Sequence, residues 1–243
     1  MPGDSLAAAV GSLPGPWVGH YFDTIDSTQD AARLAAREGA RGRSLFVADY
    51  QRAGRGRHAR TWLAAPGTAL LMSVLFRETS AEARPWRFTS LAVTALRDSI
   101  ADFVPTERLA IKWPNDLMLD DRKVAGVLAE TTWNGHDLQA IVGVGVNVSA
   151  SPDLLGVTHL GEIDRGNLLL RFVSRLDHWL ARPDDCLRSA WQASLWRRGQ
   201  RLRLLDLGRE EDVTVIGASV DGTLQVRLAD GTERYTTTGE LLA

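Results

Sequence analysis

One stretch constrains this chain more than any other: Gln51-Arg52-Ala53-Gly54-Arg55-Gly56-Arg57-His58-Ala59-Arg60-Thr61-Trp62. Four arginines fall within nine residues of a 243-residue chain whose formal net charge is -2. The apolar runs on either side, Ser44 to Tyr50 and Thr68 to Phe76, read as buried strands. Any fold must therefore hold the ends of this cationic segment between two core strands. Arginine presents a planar, permanently charged fork that matches phosphate. Glycines between the arginines let the backbone turn and point N–H groups at an oxyanion. The segment reads as a cradle for a phosphate-bearing ligand. It has neither the Walker A spacing nor the third glycine of a dinucleotide fingerprint. The charges alone leave a solvated arginine-rich turn equally open.

Hydrophobic residues make up 44% and charged residues 24%, enough for a core with an ordinary soluble surface. The balanced charge argues against a dedicated nucleic-acid binder. The length suits one substantial domain with a small appendage. Cys186 stands alone, so no intrachain disulfide forms, which fits a cytoplasmic protein. His20, His58, His136, His159 and His178 have no metal-ligand spacing. No apolar run is long enough for a membrane span, and the start lacks a secretory signal.

Residues 1–16 read as a flexible tail. Trp17 to Ile25 is expected to be a strand. Ser27-Thr28 opens a helix, with Asp30 placed as in a capping pair and Gly39 as its end. Further helices are expected over 87–103, 165–181 and 184–198, and strands over 109–113, 123–133 and 138–148. The last two are joined by the hairpin signal Asn134-Gly135. After Gly199 come four short strands, at 200–205, 212–216, 223–228 and 233–238. Asp221-Gly222 and Asp230-Gly231 are placed for tight turns. The division is a tail (1–16), a main domain (17–198) and a small barrel (199–243).

The string Gly-Arg-Gly-Arg-x-x-Arg-x-Trp resembles the signature of biotin protein ligases, also called biotin–[acetyl-CoA-carboxylase] ligases. Four more motifs resemble that family's in the same order. They are Asp26-Ser27-Thr28, Lys112-Trp113-Pro114-Asn115-Asp116, Lys123-Val124-Ala125-Gly126-Val127-Leu128-Ala129-Glu130 and Gly143-Val144-Gly145-Val146-Asn147. Two positions depart: Gln29 stands where the family usually has Asn, and Ala59 where it often has glycine. A left-handed backbone at Ala59 would be strained.

The resemblance implies an α+β fold. Its parts are a mixed-sheet catalytic domain of the biotin/lipoate ligase and class II synthetase type, then a small SH3-like β-barrel. The reaction implied has two steps, with ATP, Mg2+ and biotin: formation of biotinyl-5′-AMP, then transfer to a lysine of a biotin carboxyl carrier protein. Biotin contacts are implied for Ser27, Thr28, Gln29, Gln51, Gly54, Arg55, Gly56, Arg57, Lys123, Gly126, Leu128 and Gly145. ATP contacts are implied for Arg57, Arg60, Trp62, Lys112, Asn115, Asp116, Lys123 and Asn147. Lys123, Arg57 and Asp116 carry the catalysis, and magnesium arrives with ATP near Asp116 without a protein cage. With about 16 residues before the first strand, no helix-turn-helix module, repressor role or DNA partner is expected. The protein would be a monomer or a homodimer. The rivals are a lipoate or octanoate ligase and, from another class, a nucleic-acid-binding module using the arginine loop.

Overall fold

Period-two alternation along the central strands decides the layering. In the strand over Asp137–Asn147, Val142, Val144 and Val146 enter the main core, whereas Ile141 packs on the opposite face with Ala32, Ala36, Phe46 and Leu75. The computed structural model describes residues 6–79, 85–135, 137–219 and 222–242. In chain order its first unit comprises α1 (Leu6–Gly11), β1 (Val18–Ile25), α2 (Thr28–Arg37), β2 (Ser44–Gln51), β3 (Ala69–Thr79), α3 (Pro85–Ile100), β4 (Leu109–Lys112), β5 (Asp116–Leu119), β6 (Arg122–Asn134), β7 (Asp137–Asn147), α4 (Arg165–Leu180) and α5 (Asp184–Ala193). The seven strands form one mixed sheet in the order β1-β2-β3-β7-β6-β5-β4, with β1 and β2 parallel and the other pairings antiparallel.

One face of this sheet is covered by α3 and α4. Leu91, Leu96 and Ile100 from α3 and Leu168, Leu169 and Phe172 from α4 are fully buried there. The other face is covered only in part, by α2. Its N-terminus is set by Ser27, whose side chain accepts the Gln29 N–H. The expected reciprocal cap from Asp30 does not form, because Asp30 is paired with Arg33 and Arg55 instead. Small residues Ala32 and Ala36 let α2 lie flat on Phe46 and Leu75. Past its end, the same sheet face lies open.

A second, antiparallel sheet follows: β8 (Arg201–Asp206), β9 (Arg209–Ala218), β10 (Leu224–Leu228), β11 (Glu233–Thr236) and β12 (Glu240–Leu242), in the order β11-β10-β9-β8-β12. Its buried residues, Leu202, Leu204, Val213, Val215, Val226 and Leu241, belong to the same apolar cluster as the main core. The Trp113 indole N–H donates to the Gly222 carbonyl at 2.9 Å and so ties the two sheets together. No helix among the described residues is long and apolar enough to cross a membrane.

The structure corrects the expectations in four places. Residues 6–11 are helical, not a tail, with Leu6, Ala9 and Val10 buried against β1 and α4. Gly19 makes that contact possible, since a Cβ there would lie 2.6 Å from Val10. The helix expected over 184–198 ends at Ala193. Residues 194–196 then run along the free edge of β4, exchanging hydrogen bonds with Ile111 at 2.7 and 2.8 Å. Strands β5 and β12 were not expected; four and three residues are too few for a periodic signal. Residues 1–5, His136 and Asp221 lie outside the described residues.

Leu6 tests the first correction. Leu6→Ala is expected to destabilise the protein by about 2–4 kcal/mol, measured by urea unfolding. A change indistinguishable from zero would restore the tail.

Candidate active site

Strand register builds the floor of the site. Leu71 of β3, Gly145 of β7, Gly126 of β6, Asp116 of β5 and Lys112 of β4 are successive cross-strand partners, forming one row across the open sheet face. Ser73, Gly143 and Leu128 form the neighbouring row. Glycine in the middle of both rows leaves bare backbone. A Cβ at Gly145 would lie 2.6 Å from the Trp62 ring, and one at Gly143 would lie 2.7 Å from Gln29 Oε1. Above this floor is a cavity of about 490 Å³, within the range of small-molecule sites.

At the α2 end the wall is a network of amides and hydroxyls. Gln51 Oε1 accepts from the Thr28 backbone N–H at 2.7 Å and from the Thr28 hydroxyl at 3.0 Å. The Thr28 and Ser73 hydroxyls lie 2.8 Å apart. Ser73 also donates to Gln29 Oε1 at 3.0 Å, and Gln29 Nε2 donates to the carbonyls of Ile141 and Leu128. The longer Gln29 side chain is thus spent on the sheet backbone. It lines the cavity as a support for Ser73 rather than as a free amide.

The arginine segment closes on itself. Trp62 N–H donates to Gly54 O at 3.0 Å, Gly56 N–H to Arg60 O at 2.7 Å, and Arg60 N–H to Arg57 O at 3.0 Å. The left-handed residues are His58 and Ala59, at φ 53° and 59°, and neither Gly54 nor Gly56 has positive φ. Ala59 therefore keeps a conformation suited to glycine, at a cost of about 1–2 kcal/mol. Gly54 is required for space: a Cβ there would lie 2.7 Å from Trp62 O.

Each of the four arginines has a partner. Arg52 pairs with Asp26 at 3.1 Å, Arg55 with Asp30 at 2.7 Å and Arg60 with Glu240 at 3.0 Å. Arg57 differs, because it donates to a neutral amide, Asn115 Oδ1, at 3.1 Å. Burial lowers its guanidinium pKa, against Asp116 and Glu240, which raise it. Asn115 is itself fixed to β6: its Nδ2 donates to Val127 O at 2.5 Å, and its own carbonyl accepts the Val127 N–H at 2.9 Å. Lys123 Nζ pairs with Asp116 at 2.8 Å and stands 5.8 Å from the Trp62 ring centroid. Lys112 Nζ lies 3.9 Å from Glu240 and 5.5 Å over Trp196. Burial lowers the Lys112 pKa, partly opposed by Glu240 and Asp116. Burial pushes the Glu240 carboxyl up, but Arg60, Lys112 and Lys123 together outweigh it and hold it below its ordinary range.

The cavity gathers Ser27, Thr28, Gln29, Gln51, Arg55, Gly56, Arg57, Arg60, Trp62, Lys112, Asn115, Asp116, Lys123, Gly126, Leu128 and Gly145. Two expected residues stand outside its lining. Gly54 is buried within the loop. Asn147, at the end of β7, donates to Thr158 O at 3.0 Å and holds the following segment. Ser73, Asp206, Leu207 and Glu240 line the cavity and were missed. Glu240 lies 180 residues from Arg60 in the chain, so only the fold brings them together. Five cations and three carboxylates line the cavity, an excess suited to an anionic ligand. Arg57 is turned into the fold rather than displayed on a solvated face, unlike a nucleic-acid-binding turn. Among the described residues there is no cluster of three metal-ligating side chains.

Comparison with known proteins agrees with this geometry. The chain is 34% identical over 193 residues to the biotin–[acetyl-CoA-carboxylase] ligase of Paracoccus denitrificans, covering 72% of this chain and 80% of that protein. It is 31% identical over 192 residues to the enzyme of the same name from Mycobacterium tuberculosis, covering 73% and 70%. Among solved structures, the biotin protein ligase from Aquifex aeolicus in complex with biotin and ATP superposes with a TM-score of 0.74 at 25% identity, covering 91% of this chain and 96% of that one. Residues 21–147 match the biotin/lipoate A/B protein ligase family, and the chain belongs to that family.

Proposed function

We propose that this protein is an ATP-dependent biotin ligase, which activates biotin as biotinyl-5′-AMP and transfers it to a lysine of a biotin carboxyl carrier domain. The observation that carries the reading is Arg57: a half-buried cation held by a neutral amide beside a glycine floor, among Lys112, Lys123 and Arg60.

The first step brings two anions together, as a biotin carboxylate oxygen attacks the α-phosphorus of ATP and pyrophosphate leaves. At an effective dielectric near 20, one charge contact at 4 Å is worth about 4 kcal/mol, so Arg57 and Lys123 offset the repulsion. Lys123 reaches the ligand by exchanging Asp116 for it. The bare backbone at Gly126 and Gly145 and the Trp62 face give the ring system an apolar slot. Thr28, Ser73 and Gln51 supply polar groups at its α2 end. Magnesium bound with ATP would neutralise phosphate charge. Asp116 is the carboxylate it would meet, because Asn115 Oδ1 is held by Arg57, and the described residues supply no cage of their own.

The direct test mixes the protein with biotin, Mg-ATP and a carrier domain and weighs the carrier by mass spectrometry. The carrier is expected to gain one biotinyl group, and to remain unmodified when lipoate replaces biotin. Lys123→Ala is expected to lower biotin-dependent pyrophosphate release about 100-fold with an unchanged circular-dichroism spectrum. Normal release would remove Lys123 from the mechanism. Lys112 gives the pH dependence. Its lowered pKa means its charge is present at low pH and lost, as pH rises, earlier than the ordinary lysine value of about 10.4. The KM for ATP is expected to climb on the alkaline side in the wild type and to stay flat in Lys112→Arg. Parallel profiles would dissociate Lys112 from ATP binding.

A further inference from the structure

A second cavity, of about 250 Å³, lies beside the first, between the start of α3, the Trp113-Pro114-Asn115 turn and the β9–β10 hairpin. Arg57 and Asn115 line both cavities. Trp113, Pro114, Val127 and Leu128 line both as well, so the two cavities adjoin along this turn and strand, with the 3.1 Å Arg57–Asn115 hydrogen bond on their common boundary. The second wall includes Trp86, Thr89, Trp113, Ala129, Thr223 and Thr237: indoles, methyls and hydroxyls. Among the described residues lining it, none is a carboxylate, and Arg57 is the sole cation.

We propose that this second cavity is the channel through which the acceptor lysine of the carrier reaches the acyl-adenylate; the proposal rests on the ligase reading above. In the transfer step the amine lone pair attacks the acyl carbon and a C–N bond forms. The C–O bond to phosphate breaks, AMP leaves with its electron pair, and one N–H proton passes to solvent. The attacking amine must be neutral. At pH 7 only roughly one lysine side chain in 2,500 is neutral in water. Partial burial in the cavity disfavours the ammonium form, and the Arg57 cation on its boundary with the main site disfavours it further. A lining carboxylate would do the reverse. The indoles and methyls of the wall also match the four-carbon stem of lysine. Departing pyrophosphate is the poorer occupant. Several negative charges would meet one arginine there, while the remaining site cations line the main cavity.

Thr89, on α3, and Thr237, just after β11, both line this cavity outside the groups assigned to biotin and ATP. Thr89→Trp and Thr237→Trp, made separately, are expected to leave biotin-dependent pyrophosphate release unchanged. Single-turnover transfer from the preformed acyl-adenylate to the carrier domain should fall about 100-fold. Hydroxylamine, small enough to enter by the main mouth, should still cleave the adenylate at the wild-type rate. Thr89→Glu should move the pH profile of transfer about one unit toward alkaline pH, which a merely structural defect would not do. Wild-type transfer rates in both tryptophan variants, or an unmoved profile in Thr89→Glu, would overturn the channel. Absent pyrophosphate release in the wild-type protein would instead overturn the ligase reading.

Discussion

Gly126 and Gly145 face each other across β6 and β7, and the Trp62 ring lies so close that a methyl at 145 would overlap it. Everything in the site is arranged around that contact. Side chains on the opposite sheet face, Val142, Val144 and Val146, pack into a conventional core. At Gly126, Gly143 and Gly145 the glycine-bearing face has no side chain to bury, and α2 covers only the part carrying Phe46, Leu75 and Ile141. A cavity remains because the backbone there is already satisfied by the ladder, so it needs no further cover. A flat ring laid on it contacts backbone atoms directly, and the arginine segment, ending in Trp62, forms the opposite wall.

Charge in this cavity is placed before any ligand enters. Arg55, Arg60 and Lys123 hold Asp30, Glu240 and Asp116. The Arg55 and Arg60 pairs are exposed, and such pairs contribute little to stability, so an anionic ligand there exchanges one weak partner for another; the Lys123 pair is half-buried. Arg57 has no carboxylate partner to give up; it is half-buried before any ligand enters, and its hydrogen bond to Asn115 ties it to β6. Preorganisation of this sort is what makes a cation effective when charge approaches it.

The arginine segment, its flanking strands and the glycine-bearing strands were legible in the sequence, because charge density and period-two alternation are local signals. The reasons behind particular residues were less so. Gly54 is needed for contact with Trp62 O rather than for positive φ, and the left-handed turn falls on His58 and Ala59. Asn147 ends a motif next to the site, yet its side chain turns to Thr158, since the following segment folds back across it. Ser73 and Glu240 carry no sequence signal. Ser73 is one residue of an apolar strand, and Glu240 belongs to a three-residue strand set in place by pairing with β8. The helix at 6–11 was missed because its six small and apolar residues gain stability only by docking.

Glu240 and Trp113 argue that the C-terminal sheet is part of the site rather than an appendage. Trp113 belongs to the turn that presents Asn115 and Asp116, and its indole N–H ends on Gly222 of the β9–β10 hairpin. Glu240 follows a glycine held against Leu205 of β8 and reaches Arg60 in the loop. Each link spans more than 100 residues of chain and joins the second sheet to a different wall of the cavity. The apolar cluster is continuous between the sheets, so rotating the second against the first would break core contacts as well as both links. The cation cluster and the Arg57–Asn115 pair thus keep their spacing only while the two sheets stay docked, which makes the interface between them a determinant of the chemistry.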